Sequence, residues 1–458
     1  MMKDYRKIIP SLDVGKPHCL VLGAGKSGLA AIRVLNTIGA EVALVDSRPP
    51  KDGAPEGCAL FAPCETLPDG HFDLCVASPA IPMGHPWLAQ CAERAIPVVS
   101  EMELGYAFWQ GKILAITGSK GKSSVVKLCA ETLTAAGHRA IPCGNYGTPL
   151  CDVALDDADA EWAVAETSSF QLEHTVAFRP DVAILLNIQA DHLDRHASMG
   201  EYARMKFRLF ERQDVDCMAL LPEGLESFGQ PIPKNVPVSF FGTSSNADWR
   251  YEPGRVVGSL DGREVCVDFA GTWFDNSVLG IAAASTVGAL SFCGLTSEEI
   301  TSGLISFQPL QHRMEHVADR EGVLFIDDSK ATSLTATAAA LSMVSRPILL
   351  IAGGRLKEKN LTFIKVLLTK RAKKVYLIGE CENALFASWH DAVACVECHT
   401  LENAVHAAAA DSVAGDVVLL SPGCASFDQF VSYGKRGERF ASLAQSAAIG
   451  HAEIMEEK

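Results

Sequence analysis

Residues 113–124 read Ile-Leu-Ala-Ile-Thr-Gly-Ser-Lys-Gly-Lys-Ser-Ser, a short apolar run that enters a glycine-containing loop. The apolar run predicts a buried strand, and the segment 125–136 predicts a helix. Glycines in such a loop let backbone N–H groups converge on phosphate oxygens, and the helix N-terminus adds positive potential. The order indicates a phosphate-binding loop in which Lys122 contacts the phosphates and the Ser123 hydroxyl contacts Mg²⁺. The first glycine, Gly118, comes two residues later than in the common motif, which predicts a tighter loop; the alternative is an ordinary strand-to-helix turn.

The composition is typical of a globular protein. A chain of 458 residues is too long for one hydrophobic core, so we expect two to four domains. The net charge of −15 argues against a nucleic-acid partner, although one loop and a few lysines suffice to bind a nucleotide. The polar segment 1–10 lacks the apolar core of a signal peptide, and no apolar run has the length of a membrane span. We therefore expect a cytoplasmic protein whose 15 cysteines are reduced.

A second glycine-rich segment lies near the N-terminus. Residues 23–28, Gly-Ala-Gly-Lys-Ser-Gly, follow an apolar strand at 18–22 and precede a helix, and a second strand at 41–45 leads to Asp46. This is the context of a dinucleotide-binding βαβ unit, in which pyrophosphate lies at the helix N-terminus and the acidic residue binds a ribose hydroxyl. By itself the pattern indicates NAD, but a uridine diphosphate could use the same features.

Strands and helices alternate in three blocks along the chain. This alternation predicts an α/β protein with parallel sheets in three domains, which we place at residues 1–109, 110–310 and 311–458. The first and third domains are predicted to be Rossmann-like, and the central domain is predicted to be built on the phosphate loop.

Two polar residues follow predicted strands of the central block. Glu166 comes directly after the strand at 162–165, and His192 lies beyond the strand at 182–187. Open α/β sheets bind ligands at the C-terminal ends of their strands, so a carboxylate and an imidazole at two such ends indicate a Mg²⁺ site beside the phosphate loop. Taken singly, the glutamate would be read as a solvated residue and the histidine as a hydrogen-bonded core residue.

One cysteine motif suggests a different chemistry. Residues 395–399 read Cys-Val-Glu-Cys-His, which matches the C-x-x-C-H pattern of covalent haem attachment. That attachment requires an exported protein, and the segment 392–396 is predicted to be a strand of an α/β domain. We therefore interpret the match as a coincidence.

Five strings of residues, taken together, resemble the Mur ligase family. They are Thr117-Gly118-x-x-Gly121-Lys122-Ser123, Glu166-x-Ser168-Ser169-Phe170-Gln171-Leu172-Glu173, Asp191-His192-x-Asp194, Asp328-Ser329-Lys330-Ala331-Thr332 and Ser421-Pro422-x-Cys424-Ala425-Ser426-x-Asp428-Gln429-Phe430. The resemblance extends from about Leu20 to Phe440. It implies a monomeric, ATP- and Mg²⁺-dependent enzyme that adds D-glutamate to UDP-N-acetylmuramoyl-L-alanine through an acyl phosphate, in peptidoglycan precursor synthesis.

The resemblance also implies roles for individual residues. The UDP-substrate would be bound by Gly25, Lys26, Ser27, Asp46, Arg48, Ser78, Asn145, Ser168 and His192. ATP would be bound by Gly118, Ser119, Lys120, Gly121, Lys122, Ser123, Ser124, Asn276, Arg313 and Asp328. The amino acid would be bound by Lys330, Thr332, Lys357, Ser426 and Tyr433. Catalysis would depend on Lys122, Glu166, His192, Lys206 and Arg313, and the metal ligands would be Ser123, Glu166, His192 and Lys206 as a carbamate. Without the resemblance, Lys206 would be read as a lysine on a helix surface.

Four places depart from the family's pattern. Lys120 and Ser124 replace asparagine and threonine in the loop, and Arg355 replaces an aspartate. Within 271–277, where the family has His-Asn-x-x-Asn, the positions are filled by Trp273, Phe274 and Ser277. Asn276 could substitute after a small shift, and an aromatic ring could stack on adenine.

Three alternatives remain open from the sequence. A related ligase of the family could use a different amino acid or acceptor. An NAD-dependent oxidoreductase could be built on residues 23–28, although it would leave Lys122, Glu166 and His192 unexplained. A nucleotide-binding regulator could have lost ATP turnover through the changes at 273–277.

Overall fold

The computed structural model describes residues 3–48, 50, 53–190, 192, 195–358, 360–447 and 449. The chain forms two compact units, one made of Met1–Asp275 with Gly280–Phe307 and the other of Asn276–Leu279 with Gln308–Lys458. The first unit contains two β-sheets and the second contains one. Among the helices of the described ranges, none has the length and apolar character needed to cross a membrane.

The first sheet is parallel and is formed by the N-terminal part of the chain. Its strands are β1 (His18–Leu22), β2 (Glu41–Val45), β3 (Cys58–Phe61), β4 (Leu74–Ala77) and β5 (Val98–Ser100). Its helices are α1 (Tyr5–Ile8), α2 (Lys26–Thr37), α3 (Pro86–Glu93) and α4 (Glu101–Phe108). The spatial order is β3-β2-β1-β4-β5. The strands predicted at 18–22 and 41–45 are confirmed by β1 and β2. In each of them the four residues after the first are apolar and buried, as is typical of strands covered on both faces.

The second sheet is larger and mixed. Its strands are β6 (Lys112–Thr117), β7 (Ala140–Gly144), β8 (Trp162–Glu166), β9 (Val182–Leu185), β10 (Met218–Pro222), β11 (Val238–Gly242), β12 (Trp249–Glu252), β13 (Arg255–Leu260) and β14 (Arg263–Asp268). Its helices are α5 (Lys122–Ala135), α6 (Leu150–Asp156), α7 (Ser169–Leu172), α8 (Met199–Phe207), α9 (Leu279–Phe292) and α10 (Ser297–Ser306). The order is β14-β13-β12-β11-β10-β9-β6-β8-β7, and only β12, β13 and β14 pair antiparallel. The strand that enters the phosphate loop, β6, thus lies between β8 and β9.

Two buried carboxylates connect α4 with segments that flank the second sheet. Glu103 in α4 accepts hydrogen bonds from the backbone N–H groups of residues 176–178 at 2.6–3.0 Å. Glu101 Oε1 accepts from the N–H of Cys151 at 2.7 Å, and burial raises the pKa of Glu101 to about 7. Hydrogen bonds that buried carboxylates accept from backbone N–H groups are strong, so α4 is firmly held against α6 and the segment 176–178.

The third sheet belongs to the second unit. Its strands are β15 (Glu315–Arg320), β16 (Val323–Asp327), β17 (Ile348–Gly353), β18 (Ala372–Ile378), β19 (Cys395–His399) and β20 (Val417–Leu420). Its helices are α11 (Leu334–Met343), α12 (Lys365–Arg371), α13 (Glu382–Trp389), α14 (Leu401–Asp411) and α15 (Tyr433–Ser446). The order is β15-β16-β20-β17-β18-β19, parallel except for the β15–β16 pair.

The C-x-x-C-H motif lies in β19, which begins at Cys395, three residues later than predicted. The thiols of Cys395 and Cys398 each donate to a backbone carbonyl two residues earlier, and the His399 ring pairs with Glu382. Burial raises the pKa of both thiols to about 11, so they stay protonated at neutral pH. These contacts are those of ordinary residues in a β-strand, which is consistent with the interpretation that the match to the haem-attachment motif is a coincidence.

Candidate active site

The predicted phosphate loop connects β6 to α5. Gly118 and Gly121 adopt φ of +151° and +87°, and Gly121 is the N-cap of α5. A Cβ on Gly118 would lie 3.0 Å from the Cβ of Leu186, so this position requires glycine for its conformation and for space. The helix begins at Lys122, three residues earlier than predicted, which places the Ser123 and Ser124 hydroxyls in its first turn. The expected tight loop leading into a helix is therefore present.

Two lysines converge on one carbonyl of this loop. Lys122 Nζ donates to the carbonyl oxygens of Gly118 and Ser119 at 2.8 and 3.1 Å. Lys206 Nζ donates to the same Gly118 oxygen at 2.8 Å and lies 4.4 Å from the centroid of the Tyr202 ring. Lys206 is only 1% exposed, so the interpretation of a surface lysine is wrong. Tyr202 and Lys206 are four residues apart on α8 and therefore share the face that packs against the loop.

Asn187, which follows β9, holds the loop from the other side. Its Oδ1 accepts from the backbone N–H groups of Ser119 and Lys120 at 3.1 and 2.9 Å, and its Nδ2 donates to the Lys120 carbonyl at 3.0 Å. The Ser119 hydroxyl donates to the Gln189 carbonyl at 3.0 Å and lies 3.2 Å from the Tyr202 hydroxyl. No role had been predicted for Asn187 or Tyr202. Asn187 lies two residues after β9, and Tyr202 lies one helical turn before Lys206. These positions are the only local signals that could have identified the two residues.

Glu166 ends β8 and pairs in register with Ile116 of β6, so it lies beside the start of the loop. It is 2% exposed, and its Oε1 accepts from Asn145 Nδ2 at 2.6 Å. Its Oε2 is buried and has no hydrogen-bond partner among the described residues. Because burying an unpaired carboxylate oxygen is costly, this atom is suited to binding a cation. Ser168 lies two residues further on, where its side chain and that of Gln171 form a capping box at the start of α7.

His192 lies in the loop after β9 with a φ of +54°. Its ring packs edge-on against Phe170, with a centroid distance of 4.9 Å. Nearby, His196 Nε2 is 3.0 Å from the Ser169 hydroxyl, and burial lowers the pKa of His196. The side chains of His192 and His196 therefore pack on Ser169 and Phe170, which follow Glu166 in the chain. These contacts bring the two predicted metal-binding segments together. The predicted motif also includes Asp191 and Asp194, which lie outside the described residues.

The residues expected to bind the UDP-substrate gather at the C-terminal ends of β1, β2 and β4. They are Gly25, Lys26, Ser27, Asp46, Arg48 and Ser78. Asp46 accepts from the backbone N–H groups of Ala24 and Arg48 at 2.7 and 2.9 Å. A Cβ on Gly23 would lie 2.8 Å from the Cβ of Ser78, so the glycine lets the first loop approach the turn after β4. Two loops and an acidic residue thus surround the N-terminus of α2.

In the second unit, a buried polar cluster contains two neighbouring carboxylates. Asp328 Oδ2 accepts from the Ser421 hydroxyl at 2.8 Å, and burial raises the pKa of Asp328 to about 7, while the Arg313 guanidinium opposes that shift. Asp327 Oδ2 is 2.7 Å from His312 Nδ1. Among the described residues, His312, Glu315 and Asp327 form a group of side chains whose ligand atoms are close enough to hold a metal ion. The ligand atoms of His312 and Asp327 already bond to each other, and the Glu315 carboxylate accepts from the backbone N–H of His312 at 2.8 Å.

The residues expected to bind the amino acid lie in loops of the same unit. Lys330 Nζ is 4.0 Å from the centroid of the Tyr433 ring, and Thr332 follows in the same turn. Ser426 is buried, whereas Lys357 is exposed in the loop after β17. Arg355, one of the departures, forms a bidentate ion pair with Glu380 at 2.8 and 3.1 Å.

A buried arginine connects these loops and was not anticipated. Arg436 is 1% exposed and donates to the hydroxyl and the carbonyl of Ser329, both at 2.9 Å, and to the Cys424 carbonyl at 3.1 Å. The Ser329 hydroxyl in turn donates to the Tyr433 carbonyl at 2.8 Å. The segments around Lys330, Ser426 and Tyr433 are therefore joined through one guanidinium group, whose pKa burial lowers to about 10.

The residues around position 275 have mainly structural contacts. Asn276 Oδ1 accepts from the N–H groups of Val278 and Leu279 at 3.1 and 2.9 Å, which caps the start of α9. Phe274 is fully buried and packs against Trp273 and Phe307, with centroids at 4.9 and 5.0 Å. The Phe274 ring is buried in the core of the first unit and has no exposed face. The suggested stacking of an aromatic ring on adenine therefore does not apply to Phe274.

Comparisons with protein families and solved structures agree with this architecture. Residues 116–281 match the Mur ligase middle domain, and residues 312–424 match the glutamate ligase domain of Mur ligases. The fold is similar to that of the MurF ligase from Thermotoga maritima in complex with ADP, with a TM-score of 0.60, 17% identity and 96% of each chain covered. It is also similar to UDP-N-acetylmuramate-alanine ligase MurC from the same organism, with a TM-score of 0.56, 14% identity, and 94% of this chain and 99% of that one covered.

Curated relatives narrow the assignment. The chain is 37% identical to the UDP-N-acetylmuramoylalanine--D-glutamate ligase of Koribacter versatilis, over 95% of its own length and 99% of that protein. It is 36% identical to the ligase of the same name from Chromobacterium violaceum, over 96% of this chain and all of that one. The chain therefore belongs to the Mur ligase family. Both of these relatives carry the name of one ligase within that family, the D-glutamate-adding one.

Proposed function

We propose that this chain catalyses the ATP-dependent addition of D-glutamate to UDP-N-acetylmuramoyl-L-alanine in peptidoglycan precursor synthesis. The observation that carries the proposal is a lysine-bearing phosphate loop beside a buried, half-paired carboxylate, Glu166, in a chain similar to D-glutamate ligases over 95% of its length. The oxidoreductase alternative accounts only for residues 23–28. The alternative of a ligase that adds another amino acid is tested by comparing D-glutamate with other amino acids in the assay described below.

The chemistry requires activation of a carboxylate. Oxide is a poor leaving group, so the terminal carboxylate of UDP-N-acetylmuramoyl-L-alanine takes the γ-phosphoryl group of ATP and becomes an acyl phosphate, with release of ADP. The amine of D-glutamate then attacks the acyl carbon, an amide bond forms, and phosphate leaves. Positioning and charge neutralisation dominate phosphoryl transfer, and we assign these tasks to Lys122 and Arg313.

We assign the metal ligands to Ser123, Glu166, His192 and Lys206, the last as a carbamate. The unpaired oxygen of Glu166 supports this assignment, because a hard cation prefers carboxylate oxygens. When bound, Mg²⁺ neutralises phosphate charge. Burial of Lys206 against the Gly118 carbonyl places its amine next to the loop, where a carbamate would exchange a cation for an anion.

We assign the remaining residues by ligand, as predicted from the sequence. The loop after β1, with Asp46 and Ser78, takes the uridine nucleotide, and Asn145 and Ser168 face the substrate. The loop 118–124 takes ATP, together with Asp328 and Asn276. Amino-acid binding falls to Lys330, Thr332, Lys357, Ser426 and Tyr433, since two lysines and several hydroxyl donors suit a dicarboxylate.

The domain organisation is part of the same proposal. A Rossmann-like domain at 1–109, a P-loop domain at 110–310 and a Rossmann-like domain at 311–458 would each bind one substrate. The order β3-β2-β1-β4-β5 supports the first of these assignments. We propose that the enzyme works as a monomer in the cytoplasm, where ATP and nucleotide-linked sugars are available.

Phosphate release from ATP tests the proposed function. We expect release only when UDP-N-acetylmuramoyl-L-alanine and D-glutamate are both present, and not when L-glutamate or L-lysine replaces D-glutamate. Lys122→Ala should abolish release, whereas Lys127→Ala, a change in the same helix at a lysine paired with Glu131, should not. Release that depends on neither substrate would overturn the proposal, and release with L-lysine alone would assign a different amino acid.

A further inference from the structure

Arg195 forms a buried ion pair that the proposed reaction does not use. Its Nη2 and Nε lie 2.6 and 3.2 Å from the two carboxylate oxygens of Glu173. The side chains of Arg195 and Glu173 are only 12% and 3% exposed. Burying two charges is costly unless the pair is well oriented and its remaining donors are satisfied, so a pair of this kind is weak evidence for stability alone.

The remaining donors of Arg195 reach a different part of the chain. Nη2 also donates to the carbonyl of Ile81 at 2.8 Å, and Nη1 donates to that of Ala80 at 3.4 Å. The guanidinium carbon lies 4.6 Å from the centroid of the Phe170 ring. One side chain thus contacts the turn after β4, the string after β8 and, through its own backbone, the loop after β9.

Each of these three segments carries a residue of the proposed site. The turn after β4 contains Ser78, the string after β8 follows Glu166, and the loop after β9 contains His192. The N–H of Arg195 donates to the His192 carbonyl at 3.0 Å, so Arg195 is bonded directly to the backbone of His192. His192 has a positive φ, a conformation that persists only where its surroundings hold it in place.

We propose that Arg195 is a positioning residue for the ligation: it fixes the loop of His192 relative to the turn of Ser78, so that the nucleotide substrate and the metal ligands are held in one arrangement. This inference rests on the proposed function for the roles of Ser78 and His192. Arginine is required because its planar fork can bind a carboxylate and two carbonyls at once, whereas a lysine offers a single ammonium point charge.

Arg195→Lys tests the inference, with Arg179→Lys as a matched control, because Arg179 in the same unit also pairs with a carboxylate, that of Asp214, at 2.8 Å. We expect Arg195→Lys to weaken calorimetric binding of UDP-N-acetylmuramoyl-L-alanine, measured without ATP or metal, by about 10-fold. The Mg²⁺ concentration for half-maximal rate should rise by about the same factor, while the KM for D-glutamate should change by less than about twofold. Arg179→Lys should leave all three values unchanged.

Other outcomes separate the possible failures. If Arg195→Lys lowers only the melting temperature and leaves substrate binding and the Mg²⁺ requirement unchanged, the residue is structural and the inference is overturned. If Arg195→Lys does not fold, Glu173→Gln, which keeps the side-chain shape without the charge, should give the same two shifts; unchanged values there would overturn the inference equally. If the unmodified protein neither binds this substrate nor turns it over, the proposed function itself has failed.

Discussion

Lys122 and Lys206 both donate from Nζ to the carbonyl oxygen of Gly118, at 2.8 Å in each case. The two residues are far apart in sequence, one at the start of α5 and the other near the end of α8. Their convergence concentrates positive charge at the loop that is proposed to bind ATP phosphates. Conversion of Lys206 to a carbamate would leave Lys122 as the cation of this pair and would place an anion beside it.

Lys206 should therefore be detectable as a carbamate. We expect protein equilibrated with ¹³C-bicarbonate to show a carbamate resonance by NMR that Lys206→Met lacks. The same variant should lose more than about 100-fold in ligase rate, as is typical when a preorganised charge is removed from an active site. Lys127→Met is the control, since Lys127 lies in α5 and pairs with Glu131 at 2.7 Å. Full activity in Lys206→Met would contradict the assignment.

Glu166→Gln separates charge from packing. Glutamine can still accept the hydrogen bond of 2.6 Å from Asn145, so we expect the melting temperature to change little. The loss of negative charge should raise the Mg²⁺ concentration required for activity by about 10-fold or more. A titration of the phosphate-release rate with Mg²⁺ measures this shift. An unchanged Mg²⁺ requirement would show that the buried oxygen of Glu166 does not serve the metal.

Asn187→Ala should loosen the phosphate loop. It removes three hydrogen bonds to Ser119 and Lys120, with a cost of about 1–3 kcal/mol in stability. We expect kcat/KM for ATP to fall by about 10-fold or more, because small misplacements of binding groups are costly. Asn187→Asp keeps the acceptor and loses only the bond to the Lys120 carbonyl, so its effect should be intermediate. Equal effects on ATP and D-glutamate kinetics would argue against a role specific to the loop.

Asn276 can be tested for a role beyond capping. Asn276→Ala should reduce stability by about 1 kcal/mol, because it removes the acceptor for the N–H groups of Val278 and Leu279. Asn276→Asp preserves that acceptor and should restore stability. If Asn276 also contacts adenine through its amide, the KM for ATP should rise in both variants. A normal KM in Asn276→Asp would limit the residue to capping.

Glu101 should give stability a characteristic pH dependence. Burial raises its pKa from 4.5 to about 7, so between these values the folded state binds a proton more tightly than the unfolded state. The free energy of unfolding should therefore fall as pH rises through this window. Glu101→Gln is neutral throughout and should flatten that slope, as measured by urea unfolding at about pH 5 and about pH 8. Glu93→Gln, a change at an exposed glutamate of α3, should leave the slope unchanged.

Local patterns predicted most of the fold. The strands predicted at 18–22 and 41–45 each contain four consecutive apolar residues, and the structure has strands at those positions. The phosphate loop was predicted because glycine, lysine and hydroxyl residues follow one another at fixed spacing. Its helix starts three residues earlier than predicted, since a glycine with positive φ ends the loop immediately before Lys122.

The predicted site was less complete, because its supporting contacts join distant parts of the chain. Asn187 reaches Lys120 across 67 residues, Lys206 reaches Gly118 across 88, and Arg195 reaches Ile81 across 114. The residues adjacent to each of these positions in the sequence do not predict such long-range contacts. Lys206 illustrates this: helical spacing alone made it a surface lysine, and packing of α8 against the loop buried it.

The sequence by itself determined the α/β class, the glycine-containing loop between β6 and α5, and the family, because these depend on periodicity and on motifs of adjacent residues. Only the tertiary structure decided that two lysines share the Gly118 carbonyl, that one oxygen of Glu166 is buried without a donor, and that Arg195 joins three loops. The physical reason is that parallel strands bring distant segments to one edge of a sheet. There, burial and unsatisfied hydrogen bonds define which side chains can act.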